Sequence, residues 1–464
     1  MPDAVYAETS GNYKPHDHGL QPENLLQDHH SNSGPSVYSI AAPIGCIFGG
    51  LSIDVWGRKK MTIIANVILL IGWILITFAQ NATMILLGRI FEGISRNELA
   101  TSVTILTDEL ADPRFRGVII CGTLTSLSAG IIVISCLGAF LHWRTASGLA
   151  TLLTLVTVIM FIFVRESPTW LIRNREKRKA EQVLQHLWGS GKEIQVQEEI
   201  ADLISKLGIE ENTHLSRTRR RVLVPSRIFL KSHILKPFLI MHFFNLIQVF
   251  CGLNIFTYYT VDILSKIRDK TEILDDYLTT IIISGLRTLT VFITCFLIFW
   301  VGRRQLAIAS GIGSFLSSFC LGMLLLARHQ IYRTISSEVE AYAAITLVIL
   351  FAVSMSCGYA ILPLLMIGET QSSRVRGFAC GYINAINELV LGGVIKVYPW
   401  LMSAIEIHGL FIMFAASCAV CTIFVYFFLP ETQGKTLQDI EEYFKQPNIM
   451  WLTRKTEQTN NFIM

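Results

Sequence analysis

Three groups of ionisable residues recur along this 464-residue chain in matched order. Glu109-x4-Arg114-x-Arg116-Gly117 returns as Glu369-x4-Arg374-x-Arg376-Gly377. Gly57-Arg58-Lys59 returns as Gly302-Arg303-Arg304, and Glu166-Ser167-Pro168 is echoed by Pro430-Glu431-Thr432. The offsets are 260, 245 and 265 residues, and three ordered coincidences imply an internal duplication. The chemistry open to these groups is ion pairing, since a guanidinium meets a carboxylate through parallel hydrogen bonds. Arg58, Glu109, Arg116 and Glu166 in the first copy, and Arg303, Arg304, Glu369, Arg376 and Glu431 in the second, are expected to latch neighbouring helices and to release them when the helices move. The positive-inside rule alone accounts for the arginines but not for the matched glutamates.

No enzyme constellation accompanies them. Gly189-Ser-Gly-Lys192 lacks the leading glycine of a phosphate loop and has Glu193 where Ser or Thr belongs. His16, His18, His29 and His30 cluster in the N-terminal tail without cysteine, so no metal site and no cofactor are expected. All ten cysteines lie in apolar segments and read as small core residues, the Cys418-x2-Cys421 pair included.

Composition dictates what must position the charges. Hydrophobic residues make up 52% of the chain and charged residues 16%, against about 25% in soluble domains. Of 74 charged residues, 38 lie within 1–36, 165–231 and 430–464. The net charge of +4 is too small, and too dispersed, to suggest nucleic acid as a partner. A bilayer core requires about 20 apolar residues per helix. Such segments occur near 37–53, 61–79, 84–107, 117–141, 145–164, 235–259, 278–301, 305–327, 341–367, 377–402 and 408–429. The expectation is an all-α polytopic membrane protein. It has a polar tail (1–36), a five-span bundle (37–164), a loop with amphipathic helices (165–232), a six-span bundle (233–429) and a C-terminal tail (430–464). Amphipathic spacing in the loop places Val183, Leu184, Leu187, Ile200, Leu203, Ile204 and Leu207 on buried faces.

Lys and Arg concentrate after the first, third, fifth, seventh and ninth spans, which makes those connections and the C-terminus cytoplasmic. Eleven spans then put the N-terminus outside, and the first span is short. A helix is expected to be missing before it.

Parallel duplicated halves of about six helices are the plan of a class of secondary transporters. Here the chain resembles the sugar-porter branch of the major facilitator superfamily, with twelve spans in the family against eleven seen in this sequence. The pieces are Gly50-x3-Asp54-x2-Gly57-Arg58-Lys59, Gly88-Arg89-x3-Gly93, Glu109 with Arg116-Gly117, and Glu166-Ser-Pro-x-Trp170-Leu171. Further on come Gln248-Val-Phe-Cys-Gly252-Leu-Asn254, Tyr258-Tyr259, Pro363, Glu369, and Pro430-Glu-Thr-Gln-Gly-Lys-Thr-Leu-Gln-Asp-Ile-Glu441. The resemblance implies facilitative transport of trehalose or a hexose by alternating access, in the plasma membrane, with a monomer sufficient. It implies sugar contacts at Gln248, Asn254 and Asn387, since amides both donate and accept. It implies an extracellular gate at Tyr258 and Tyr259, and adds Asp54 to the cytoplasmic gate.

Departures from the family pattern fall in the implied site. Val249 replaces its second glutamine, Leu364 and Glu388 replace cavity tryptophans, and Arg287 replaces a cavity asparagine. Phe299, Thr169, Thr104 and Leu106 depart near the latches. A charge at membrane depth costs at least ~2.5 kcal/mol, so Arg287 and Glu388 are expected to face inward and pair with each other. These departures keep open a second reading, a non-transporting relative acting as sensor or interaction partner. Proton-coupled symport is a third reading.

Overall fold

The computed structural model describes residues 37–49, 52–53, 55–110, 116–189, 193–207, 231–268, 276–330, 337–371, 376–433 and 437–445. Every regular element among them is a helix. The first half contains α1 (Val37–Gly49), α2 (Arg58–Thr77), α3 (Ala82–Leu110), α4 (Arg116–Phe140) and α5 (Trp143–Phe163). Three short helices follow: α6 (Pro168–Arg173), α7 (Lys177–Trp188) and α8 (Glu193–Leu207). The second half contains α9 (Ser232–Phe250), α10 (Leu253–Tyr258), α11 (Thr260–Arg268), α12 (Asp276–Val301), α13 (Arg303–Gln330), α14 (Ser337–Cys357), α15 (Leu362–Thr370) and α16 (Arg376–Phe428). The last described helix is α17 (Leu437–Lys445).

Each of the eleven expected apolar segments overlaps a described helix. Seven described helical stretches are long and apolar enough to cross a bilayer, the last being Phe378–Phe428 within α16. That stretch holds two crossings, divided at Glu406, whose φ of 55° leaves the helical region. Helix α3 has the length, with 29 residues, but carries Arg89, Glu92, Arg96 and Glu98 in its middle.

Two spans that read as continuous in the sequence are broken. Helix α9 stops at a turn where Gly252 takes φ 94°. The Phe414 ring lies 2.6 Å from where a Cβ on Gly252 would stand, so only glycine fits both the backbone and the neighbour. Between α14 and α15 the chain turns over residues 358–361, and Pro363 opens α15, where its missing amide hydrogen costs nothing. Ser310 satisfies the turn, accepting from the Tyr359 amide at 3.2 Å and donating to the Ser354 carbonyl at 2.7 Å.

The two halves meet along α4 and α12. Thr288 donates to the Ser128 carbonyl at 3.0 Å, and the Ser135 and Ser284 hydroxyls lie 3.5 Å apart. In the loop, Leu171, Ile172, Ala180, Val183, Leu184, Val196 and Ile200 form a small core against Leu110, as helical spacing required. Leu203 and Ile204 pack at its edge, but Leu187 is exposed. The Leu207 side chain lies outside the described set.

Candidate functional site

The repeated charges build the same device twice, almost atom for atom. In the first half, Arg58 is buried at the N-terminus of α2 and grips Glu109 with two bonds, Nε to Oε2 at 3.0 Å and Nη2 to Oε1 at 3.1 Å. In the second, Arg303 opens α13 and reaches Glu369 Oε1 through Nη2 at 3.2 Å. Each arginine also donates to a carbonyl five residues back, Ile53 at 3.4 Å and Ile298 at 3.2 Å. Lys59 donates to the Ile162 carbonyl at 2.7 Å, and Arg304 to that of Tyr426 at 2.6 Å.

Glu166 and Glu431 have a different task from the one their charge suggested. Glu166 Oε1 accepts from the backbone amides of Arg58 and Lys59 at 3.0 and 3.1 Å. Glu431 accepts from those of Arg303 and Arg304 at 3.1 Å each. Each carboxylate therefore caps the exposed amides and positive dipole end of a distant helix. Gly57 and Gly302 precede those helices with φ of 98° and 82°. The side chains of Asp54, Arg116 and Arg376 lie outside the described residues.

A second polar cluster lies mid-span between the halves. Arg96 of α3 donates to the Tyr38 hydroxyl of α1 at 2.7 Å, with its guanidinium carbon 5.8 Å from the Tyr38 ring centroid. Tyr258 of α10 and Glu388 of α16, both from the second half, lie within electrostatic reach of Arg96 and Tyr38. The Asn97 amide stands beside Glu388. Close approach holds α1 in place: a Cβ on Gly93 would strike the Tyr38 carbonyl, and one on Gly392 would come within 2.9 Å of the Ser39 Cβ. Arg96 is nevertheless exposed, and Glu388, Asn387 and Asn254 are only part-buried. Arg96 stands at mid-length of α3, with Tyr38 of the first half and Tyr258 and Glu388 of the second half around it. Asn97 Nδ2, Asn387 Oδ1 and Glu388 Oε2 have no hydrogen-bond partner among the described residues.

A family model described as "Sugar (and other) transporter" matches residues 7–444. The chain belongs to the sugar transporter family. The facilitated trehalose transporter Tret1 of Apis mellifera ligustica is 30% identical over 416 residues, covering 89% of this chain and 79% of that protein. Its namesake in Culex quinquefasciatus is 29% identical over 409 residues, covering 87% and 75%. Among solved structures, the proton:xylose symporter XylE bound to 6-bromo-6-deoxy-D-glucose aligns with a TM-score of 0.73 at 18% identity, over 96% of this chain and 94% of that one. The inward-open xylose transporter XylE from E. coli gives 0.70 at 17%, over 95% and 94%. At those identities the likeness is one of fold. The protein is a multi-pass membrane transporter and not an enzyme.

Within this family fold the candidate sugar residues do not share one environment. Gln248 is buried near the end of α9, Asn254 lies just past the break, and Asn387 sits beside Glu388 on α16. The two tyrosines part ways. Tyr258 faces Arg96 and Tyr38 across the halves, while Tyr259 stacks on Tyr398 at 4.0 Å and donates to the Ile395 carbonyl at 3.4 Å. Val249 packs against Leu391 and Ile395 within the second half, and Leu364 is nearly half exposed.

The expected Arg287–Glu388 pair is not found among the described contacts. Arg287 donates to the Thr257 hydroxyl at 2.9 Å, whereas Glu388 faces Arg96 and Asn97 of the other half. The short helix α10 accounts for the separation, because it presents Thr257 to Arg287 and the adjacent Tyr258 to Arg96. Glu98, two residues on from Arg96, turns the other way and lies against α1 at Gly49. Sequence reasoning missed Tyr38, Asn97 and the buried Arg89–Glu92 ion pair at 2.8 Å. The i,i+3 spacing of Arg89 and Glu92 was a readable signal. Tyr38 and Asn97 gave none, since their partners lie on other helices.

Proposed function

We propose that this protein is a facilitative carrier of a neutral sugar, trehalose or a hexose, working by alternating access in the plasma membrane. The observation that carries the reading is the mid-span polar cluster of Arg96, Asn97, Tyr258 and Glu388, to which both halves contribute. In this reading, 37–164 and 233–429 rock against one another, 165–232 links them, and 1–36 and 430–464 are tails. Gln248, Asn254 and Asn387 hydrogen-bond sugar hydroxyls, and Tyr258 and Tyr259 close the outer face. The Arg58 and Arg303 devices, with Asp54, Arg116 and Arg376, form the cytoplasmic gate, on the same side as the C-terminus. Lys and Arg crowding after alternate spans supports that orientation. The Tret1 relatives, named as facilitated trehalose transporters, support both the substrate class and the uncoupled mode.

The test is uptake of labelled trehalose and glucose into proteoliposomes containing the purified chain. Saturable entry above protein-free vesicles is expected, reaching the same endpoint with or without a proton gradient. Gln248→Ala is expected to raise the half-saturating sugar concentration by about tenfold, the worth of one lost hydrogen bond. Uptake indistinguishable from empty vesicles would sink the carrier reading in favour of a non-transporting relative. Accumulation that follows an imposed proton gradient would replace uniport with symport.

A further inference from the structure

We propose that Arg96, Asn97 and Glu388 form a charged sugar clamp that sets specificity, one side supplied by each half, in place of an indole surface. The inference rests on the transport reading above and concerns the same cluster. Arg96 and Asn97 come from α3 of the first half, and Glu388 from α16 of the second.

The argument starts from unspent hydrogen-bonding capacity. A guanidinium has five N–H donors, and among the described contacts Arg96 uses one, to the Tyr38 hydroxyl. Glu388 Oε2 and Asn97 Nδ2 make no close hydrogen bond among the described residues, although the two side chains stand beside each other. Arg96 and Glu388 feel each other's charge across the gap, yet no ion pair joins them. Buried polar atoms such as Glu388 Oε2 and Asn97 Nδ2 cost free energy unless a ligand or water completes them. A pair of neighbouring sugar hydroxyls has the matching chemistry, because each hydroxyl can accept from the guanidinium and donate to the carboxylate. Charge-assisted bonds of this type are shorter and about twice as strong as neutral ones.

These groups also define the ligand class. Arg96 supplies a cationic donor fork on one side of the clamp and Glu388 a carboxyl group on the other. The ligand that matches a donor fork on one side and a carboxyl on the other is an uncharged polyol, whose hydroxyls both accept and donate. Because the clamp spans both halves, the bound sugar draws them together.

The experiment measures competition by glucose and by its 2-, 3- and 6-deoxy analogues against labelled glucose, in proteoliposomes holding wild-type, Glu388→Gln or Asn97→Ala protein. In the wild type, at least one deoxy analogue is expected to compete tenfold or more weakly than glucose. In both variants that gap is expected to close to within about threefold at the same hydroxyl. A residue with a purely structural role changes all sugars together and leaves the ratio intact. An unchanged ratio in variants that still transport would therefore overturn the clamp, and so would better competition by glucuronate or glucosamine than by glucose in the wild type. If Glu388→Gln does not reach the membrane, Arg96→Lys, which keeps the charge but loses the planar fork, carries the same ratio test alongside Asn97→Ala. Absence of any sugar uptake by the wild type is a separate result, and it removes the carrier reading itself.

Discussion

Arg58→Ala is expected to destabilise the detergent-solubilised protein by about 3–5 kcal/mol, because it strands Glu109 without its partner in a poorly solvated site. The Arg58 and Glu109 side chains are only 4% and 16% exposed, so water does little to replace the lost ion pair. The duplicated device in the second half supplies an internal control. Arg303 and Glu369 are 15% and 26% exposed, and they share one bond where the first pair shares two. Thr432 Oγ1 also donates to Glu369 Oε2 at 2.5 Å, so this carboxylate keeps a partner when the arginine is removed. Arg303→Ala is therefore expected to cost about 1–2 kcal/mol, closer to a surface pair than to a buried one. Denaturant midpoints of the two variants, measured side by side, decide the matter. A larger loss at Arg303 than at Arg58 would show that burial does not govern these latches.

Gly252→Ala is expected to cost a comparable amount through a different mechanism. Holding a non-glycine residue in the left-handed region costs about 1–2 kcal/mol. Forcing a methyl into a packed aromatic ring adds about 1–3 kcal/mol more. The backbone there has φ 94°, and the Phe414 ring atoms stand 2.6 to 2.7 Å from the new Cβ. The turn separates α9 from α10, so relaxation of the strain would also shift Asn254 relative to Gln248. The expected readout is a sharp fall in the monodisperse fraction on size exclusion, with weakened sugar uptake by what remains. Phe414→Leu in the same chain should recover part of the yield, since it relieves the clash but not the backbone strain, and this non-additivity is the signature of direct contact. Wild-type yield from Gly252→Ala alone would mean that the close approach has been misjudged.

The devices tested by these two variants differ in how far the sequence disclosed them. Gly57-Arg58, Glu109 and Glu166 were visible as a repeated set because duplication preserves spacing, and spacing is a one-dimensional property. The task of each member was not visible. Glu166 and Glu431 read as partners for arginine side chains, yet they cap the first backbone amides of α2 and α13. A carboxylate satisfies either donor equally well, and only the approach of the chain at residue 166 to the start of α2 selects between them.

The apolar spans were legible for a simple physical reason. Hydrocarbon tolerates only backbone that satisfies itself, so each crossing must appear as a long apolar run. The sequence alone thereby determined the helical class, the family and the amphipathic character of α7 and α8. Tertiary structure alone decided where α9 and α14 break, which tyrosine of the 258–259 pair faces the other half, and that Glu388 lies near Arg96 and Asn97 while Arg287 donates to Thr257. A charge in an apolar run announces that it must find a partner, because leaving it alone in hydrocarbon is costly. The sequence does not carry the direction in which the charge points. That depends on how helices distant in the chain rotate and pack against one another.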